Sequence, residues 1–139
     1  MEVSLNWMMI VIMTIAGFAL GALWHGPLFG KLWMRIHHGA KQFSKAEMAK
    51  LMVGMWRIML AEFIATFFMV MTLAFLIEIL PTYSSIHLAF LVWIGFVLPT
   101  MASTVIWGAD TKRYMATKIA VSSICRLIGL LATGYVLSM

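Results

Sequence analysis

Four long apolar runs divide the chain, and most of its charged residues lie in the segments between them. The runs cover about 5–24, 51–80, 86–107 and 115–137. Each is long enough to cross a bilayer core of about 30 Å as an α-helix, which takes about 20 residues. The pattern predicts an all-α fold: an integral membrane four-helix bundle formed by a single transmembrane domain over residues 1–139.

The segment between the first two runs is long enough to contain structure of its own. Ser44 and Glu47 have the spacing of a capping box, in which each side chain bonds the backbone N–H of the other residue. A helix should therefore begin near Lys45, with Lys45 and Lys50 on its polar face. A short, basic, partly amphipathic helix of this kind is expected to lie at the membrane surface.

Basic residues are distributed unevenly along the chain, and their distribution predicts its orientation. Nine of the ten lie in or beside the first and third connecting segments, whereas the link 81–85 is uncharged and the N-terminus carries only Glu2. The nine are Lys31, Arg35, Lys41, Lys45, Lys50, Arg57, Lys112, Arg113 and Lys118. By the positive-inside rule, both termini should face outward and both basic segments the cytoplasm.

Aromatic residues near the ends of the runs agree with this orientation, since Trp and Tyr favour membrane–water boundaries. The inner boundary would carry Trp24, Trp33, Trp56, Trp107 and Tyr114, and the outer one Trp7, Tyr83 and Tyr135.

Composition supports a membrane protein and narrows the class of partner. The chain is 63% hydrophobic and 11% charged, against about 45–50% and about 25% in soluble domains. Its net charge of +5 could suggest nucleic acid, but the basic residues are clustered between apolar runs. Anionic lipid headgroups are therefore the expected counter-charge, and no nucleic-acid partner is predicted. The expected location is the cytoplasmic (inner) membrane, crossed several times.

Arg126 is the one basic residue outside these clusters, and it lies near the middle of the fourth run. An arginine at the centre of a membrane helix costs about 2.5–3.5 kcal/mol on insertion scales, so it normally faces a bundle interior or a water-filled cavity. Glu62, in the second run, lies at a compatible depth, and we expect a buried Glu62–Arg126 ion pair. Arg57 is the competing partner for Glu62.

Other reactive residues do not form a recognisable site. Three histidines, His25, His37 and His38, belong to the basic side and His87 to the other. No carboxylate or cysteine cluster accompanies them, so neither a metal nor a haem or other cofactor is predicted. No nucleophile–base arrangement or phosphate-binding loop is present, and catalysis is not expected.

Small residues and one proline indicate how the helices could pack. Gly17 and Gly21 form a Gly-x-x-x-Gly pattern, which allows close helix approach within the bundle or between copies of the chain. Pro99 removes a backbone donor inside the third run and is expected to kink it.

Two stretches carry a resemblance to a known family. Residues 20–34 read LGALWHGPLFGKLWM, and residues 93–100 read WIGFVLPT, followed by Trp107-Gly108 and a basic turn. They resemble the prokaryotic family known as domain of unknown function 1761, whose members are small proteins with four predicted spans. The motif positions are Gly21, Trp24, His25, Gly26, Pro27, Gly30, Trp33, Trp93, Gly95 and Pro99.

This chain departs from the family's first motif at two positions, where His25 and Gly26 replace the usual Tyr and Ser. Arg126 is outside the pattern that carries the resemblance. The resemblance implies the four-span architecture and no established activity.

The sequence favours a non-enzymatic membrane protein that acts by self-assembly or as an accessory subunit of a membrane complex. The alternative is a small transporter or channel with a polar path at Glu62 and Arg126. A membrane redox or lipid-modifying enzyme would require a bound cofactor or a clustered site on the inner face from His25, His37 and His38. The surroundings of Glu62 and Arg126 distinguish the first two hypotheses: a wet crossing cavity supports transport, and a dry, fully bonded pair supports assembly.

Overall fold

The computed structural model describes residues 4–38, 43–108 and 112–139, and over these ranges the chain is helical and contains no β-strand. Four helical segments are long and apolar enough to cross a membrane: Trp7–Leu28, Met55–Ile79, Ser85–Trp107 and Lys112–Leu137, called here the first to fourth spans. The predicted all-α membrane architecture is confirmed.

The first span consists of helix α1 (Trp7–Leu23) and a π-helical segment, Trp24–Leu28. Its start is fixed by Asn6, whose side chain accepts a hydrogen bond from the Met9 N–H at 3.1 Å and so satisfies one of the free amide donors of the first turn. Helix α2 (Gly30–His38) follows.

The predicted short helix is α3 (Lys45–Met52). The Glu47 N–H donates to the Ser44 hydroxyl at 3.3 Å, and the Ser44 N–H donates to the Glu47 carboxylate at 2.9 Å, which completes the capping box. The second span, α4 (Met55–Ile79), begins a few residues after the predicted start at 51. Gly54 separates α3 from α4 because it adopts φ +79°, a conformation that side-chain-bearing residues rarely enter.

The third span consists of α5 (Ser85–Val92), a π-helical segment Trp93–Val97 and α6 (Leu98–Trp107). Pro99 was expected to kink this span; the irregularity is the π-helical segment directly before it. Proline has no N–H to donate to the carbonyl four residues earlier, so the backbone there cannot continue as regular α-helix.

A short 3₁₀ turn (Lys112–Tyr114) leads into α7 (Met115–Leu137), which forms most of the fourth span.

The fourth span is the centre of the bundle. The first span packs mainly on the second and the third mainly on the fourth, while the fourth also contacts the first and second. Its buried positions include the small residues Ser122, Ser123, Cys125, Thr133 and Gly134. A Cβ at Gly134 would lie 2.8 Å from the Ser85 carbonyl oxygen, so glycine is needed for this close approach of α7 to α5.

Burial is concentrated in one half of the bundle. We call the end that carries residues 4–6, the link 80–84 and the C-terminus the terminal end, and the end that carries α2, α3 and Lys112–Tyr114 the basic end. Both apolar core clusters lie in the terminal half. They comprise Ile10, Met13, Val70 and Ala74, and Leu73, Leu88, Ala89 and Leu130. Among the described residues of the basic half, Ile36 and Val105 are buried singly and belong to neither cluster.

Candidate functional site

Arg126 is the central residue of α7, and its guanidinium contacts two residues of α4. Its Nη2 donates to the Oε1 of Glu62, and its Nη1 donates to the Thr66 hydroxyl at 3.5 Å. The Thr66 hydroxyl in turn donates to the backbone carbonyl of Glu62 at 2.8 Å. Glu62 and Thr66 are four residues apart and so share one face of α4, which is the face turned toward Arg126.

The structure thus brings together the two residues that the sequence suggested as partners, and Arg126 rather than Arg57 is paired with Glu62. Arg57 instead lies over the Trp56 ring at 5.4 Å. The pair differs from the sequence hypothesis in its burial. The Arg126 side chain is 27% exposed and the Glu62 side chain 46% exposed, so the carboxylate lies at the side of the bundle.

The packing of the third span explains this exposure. Its α5 portion contacts α4, whereas α6, in the basic half, packs on α7 and makes no comparable contact with α4. The flank of α4 beside Glu62 is therefore left open, and Ala61 and Ala65 are both exposed there. Glu62 lies five residues from the middle of α4, or about 7.5 Å, which is well within a hydrocarbon core about 30 Å thick.

The first span closes on α4 at the level of Thr66 and diverges from it toward the basic end. A Cβ at Gly17 would lie 3.2 Å from the Thr66 methyl group, whereas a Cβ at Gly21 would have no neighbour within 4 Å. Phe18 and Phe63 make an edge-to-face contact at 5.5 Å between these two levels. Of the Gly-x-x-x-Gly pair, only Gly17 serves packing within the bundle.

Two tryptophans hold α7 from either side, just before Arg126. The Trp24 indole N–H donates to the Val121 carbonyl at 2.9 Å, and the Trp93 indole N–H donates to the Ser123 carbonyl at 2.8 Å. Each tryptophan is the first residue of a π-helical segment. From the sequence, Trp24 was expected to be a boundary anchor, and Trp93 was expected only as a position of the family motif. The repeated Trp-x-Gly with a proline after it, at Trp24 and again at Trp93, is the signal that could have linked them.

The remaining motif residues shape the turn between the first span and α2. The His25 ring packs on Trp33 at 4.5 Å between ring centres. A Cβ at Gly30 would lie 3.2 Å from the His25 carbonyl oxygen, and Pro27 lies inside the π-helical segment. At Gly26 and Gly95 an added Cβ would meet nothing within 4 Å.

The histidines do not form a metal centre in the part of the chain that the structure describes. Over that part, no group of three or more His, Cys, Asp or Glu side chains is arranged to hold a metal ion. His87 lies at the start of α5, at the terminal end, whereas His25 lies at the opposite end of the bundle, where the first span ends. Glu2, Lys41 and the side chains of His37 and His38 lie outside the described residues.

A second surface feature, lined mostly by apolar residues, lies at the terminal end. Asn6, Glu78 and Met139 line an open cleft of about 110 Å³ together with Leu5 and Met9. Glu78 is exposed and lies in the last turn of α4, at the terminal end.

Comparison with known proteins identifies the family. No curated protein and no solved structure matches the chain. A family model described as a protein of unknown function (DUF1761) matches residues 8–138, nearly the whole chain. The resemblance carried by the two tryptophan-containing motifs is therefore confirmed, and this multi-pass helical chain belongs to that family.

Proposed function

We propose that this protein acts without catalysis, as a subunit of a membrane assembly in which another protein segment covers the Glu62–Arg126 pair. The observation that carries the proposal is the exposure of this pair at the side of the bundle, within the depth of the hydrocarbon core. Polar groups in membrane helices are costly when they face lipid, and they are normally paired or covered. The described chain pairs the two charges but leaves them partly uncovered.

The hydrogen-bonding capacity of the pair supports the same proposal. A guanidinium has five N–H donors, and a carboxylate has two oxygens that accept several bonds. Within the described residues, Arg126 donates to Glu62 and Thr66 only, and one Glu62 oxygen is engaged. A polar side chain from a neighbouring helix would use the remaining capacity and exclude lipid from it.

The surface beside the pair suits a neighbouring helix. Ala61 and Ala65 are exposed one turn apart next to Glu62. Small side chains let membrane helices approach closely, and close approach strengthens both van der Waals packing and interhelical hydrogen bonds.

Photocrosslinking in the protein's native membrane tests this proposal. A diazirine-bearing amino acid at position 61 should form covalent protein adducts on illumination. The matched control is position 103, where Ser103 is an exposed small residue in the basic half of the third span. Adducts at 61 well above those at 103 are expected. Equal yields from a correctly inserted protein would contradict the proposal.

The open flank also favours a second candidate function, a small transporter with a polar path through the pair. The exposed Glu62 carboxylate is the feature that such a path would use. A water-soluble maleimide distinguishes the two functions when it is applied to Ala65→Cys in sealed vesicles, in a Cys125→Ala background. A polar path predicts labelling at rates near those of an exposed loop cysteine, whereas an interface covered by protein predicts protection.

We further propose the orientation expected from the sequence, with the basic end in the cytoplasm against anionic headgroups of the inner membrane. Two cation–π contacts at that end support it, Arg57 over Trp56 and Arg113 over the Tyr114 ring at 5.6 Å. Such basic–aromatic pairs suit the headgroup region. A cysteine at the 82%-exposed Val53 should react with an impermeant maleimide only from the cytoplasmic side.

A further inference from the structure

We propose that the cleft at the terminal end binds the headgroup of phosphatidylethanolamine, a zwitterionic phospholipid with a primary ammonium group. Glu78, which lines this cleft, lies about 24 Å along α4 from Glu62, so the site is separate from the ion pair and from the assembly function proposed above. Three features of the described residues support it: the charge of this end, the polarity of the helix ends around the cleft, and the position and size of the cleft.

The first feature is the unbalanced charge of Glu78. Its side chain is exposed and lines the cleft. The stretches 4–16, 68–92 and 128–139, which form the terminal half, contain no lysine or arginine and no other Asp or Glu. The described part of this end therefore offers Glu78 no lysine or arginine partner, and the carboxylate attracts a cation from outside the chain.

The second feature is the direction of the helices around the cleft. α4 and α7 both end here, and neither has a basic residue in its last turn to balance the partial negative charge of a helix C-terminus. α1 instead begins here, at Asn6, and a helix N-terminus attracts phosphate. The cleft thus combines surroundings that favour a cation with surroundings that favour a phosphate, which is the charge pattern of a zwitterionic headgroup.

The third feature is the position and size of the cleft. The 25 residues of α4 extend about 37 Å, more than a hydrocarbon core of about 30 Å, so its last turn reaches the headgroup region. Apolar residues such as Leu5, Met9 and Ala74 form most of the lining and suit the upper carbons of a lipid. The volume of about 110 Å³ is well below the about 300–1,000 Å³ of sites that enclose a drug-sized ligand. A headgroup of a few atoms fits it while the acyl chains stay in the bilayer.

The primary ammonium is what distinguishes phosphatidylethanolamine from phosphatidylcholine, the other common zwitterionic phospholipid. Like the lysine side chain, it has three N–H donors, whereas the trimethylated choline nitrogen has none. The Glu78 carboxylate and the free carbonyls at the ends of α4 and α7 accept such bonds. Binding should therefore depend both on these donors and on the charge of Glu78.

Native mass spectrometry of the full-length protein tests the ligand. The protein is incubated in detergent with equal amounts of phosphatidylethanolamine and phosphatidylcholine that have the same acyl chains. We expect at least fivefold more bound phosphatidylethanolamine, and loss of this preference in Glu78→Gln. The matched control is Glu47→Gln, which removes one carboxylate from α3 at the basic end and retains a residue that can complete the capping box. Equal binding of the two lipids to the unchanged protein, or an unchanged preference in Glu78→Gln, would overturn the proposal.

Photocrosslinking locates the site without altering Glu78, in vesicles that contain the two lipids in equal amounts. A diazirine-bearing amino acid is placed at position 139, where Met139 lines the cleft and is 90% exposed, or at position 107, where Trp107 is 88% exposed at the basic end. The ratio of phosphatidylethanolamine to phosphatidylcholine adducts should be at least threefold higher at 139 than at 107. Equal ratios at the two positions would place the bound lipid outside the cleft and overturn the site.

Discussion

The terminal and basic halves of this bundle are built from similar apolar sequence, yet they pack differently. The terminal half contains both core clusters, with Leu73, Ala89 and Leu130 completely buried. The basic half contains the π-helical segment Trp24–Leu28, and α6 packs on α7 there without closing on α4. The second π-helical segment, Trp93–Val97, lies at the middle of the third span. The Glu62–Arg126 pair lies where the packed half gives way to the open one.

This difference suggests a division of roles. Small residues such as Gly17 and Gly134 bring helices into contact in or near the terminal half, and packing of this kind is the main source of cohesion between helices in lipid. The basic half lacks comparable contacts between α4 and α6, so part of α4 is left uncovered there. We expect stability to depend mainly on the terminal half and assembly mainly on the basic half.

Replacing one glycine in each half of the bundle should give the largest difference in unfolding free energy between two matched variants. Gly134→Ala places a methyl group 2.8 Å from the Ser85 carbonyl oxygen and 3.2 Å from the Ala89 Cβ, so α7 must move away from α5. We expect a loss of about 1–3 kcal/mol in unfolding free energy. Gly21→Ala is the matched change in open space and should be neutral or stabilise α1 by up to about 1 kcal/mol.

Denaturation in mixed detergent micelles measures both variants. Similar losses from the two substitutions would show that the basic half is packed as tightly as the terminal half, and the proposed division would be wrong.

Breaking the Glu62–Arg126 pair, which lies between the two halves, should give the next largest change in unfolding free energy. Arg126→Ala leaves Glu62 without its charged partner and should destabilise the bundle. Adding Glu62→Ala removes the unpaired carboxylate and should restore part of the loss, with a coupling energy of about 1–2 kcal/mol. The four unfolding free energies of this double-mutant cycle provide the measurement, and strict additivity would contradict a coupled pair.

Hydropathy and charge spacing predicted much of the architecture because their physical causes are local. The four spans follow from apolar length, and α3 follows from the reciprocal bonds of Ser44 and Glu47. The Glu62–Arg126 partnership could also be proposed, since topology limits which charges share a depth.

The features that were missed depend on how helices pack against one another. Glu62 is half-exposed because α6 packs along α7 and leaves α4 uncovered beside Glu62. The sequence of α4 alone does not specify which neighbouring helix covers each of its faces. The start of the second span at Met55 depends on the positive φ of Gly54. Trp24 and Trp93, which bond to α7, each begin a π-helical segment, and hydrophobic periodicity does not reveal such segments.

These two tryptophans offer a smaller test of how α7 is anchored in the bundle. Trp24→Phe and Trp93→Phe each remove an indole donor to an α7 carbonyl while keeping an aromatic ring. Each should cost about 0.5–1.5 kcal/mol. Hydrogen exchange should increase in residues 115–123 more than in residues 127–137, because the lost bonds lie at Val121 and Ser123. Uniform exchange changes along α7 would argue against local anchoring.

The smallest global effect should come from the cap of α3. Ser44→Ala removes the hydroxyl that accepts from the Glu47 N–H and should weaken α3 by about 1 kcal/mol. Because α3 is separated from α4 by Gly54 and lies outside both core clusters, the bundle should unfold at an unchanged denaturant concentration. Hydrogen exchange of residues 45–52 should nevertheless accelerate several-fold. If the unfolding free energy of the whole bundle also fell by about 1 kcal/mol, α3 would be coupled to the packed half. The open half would then contribute more to stability than its sparse contacts indicate.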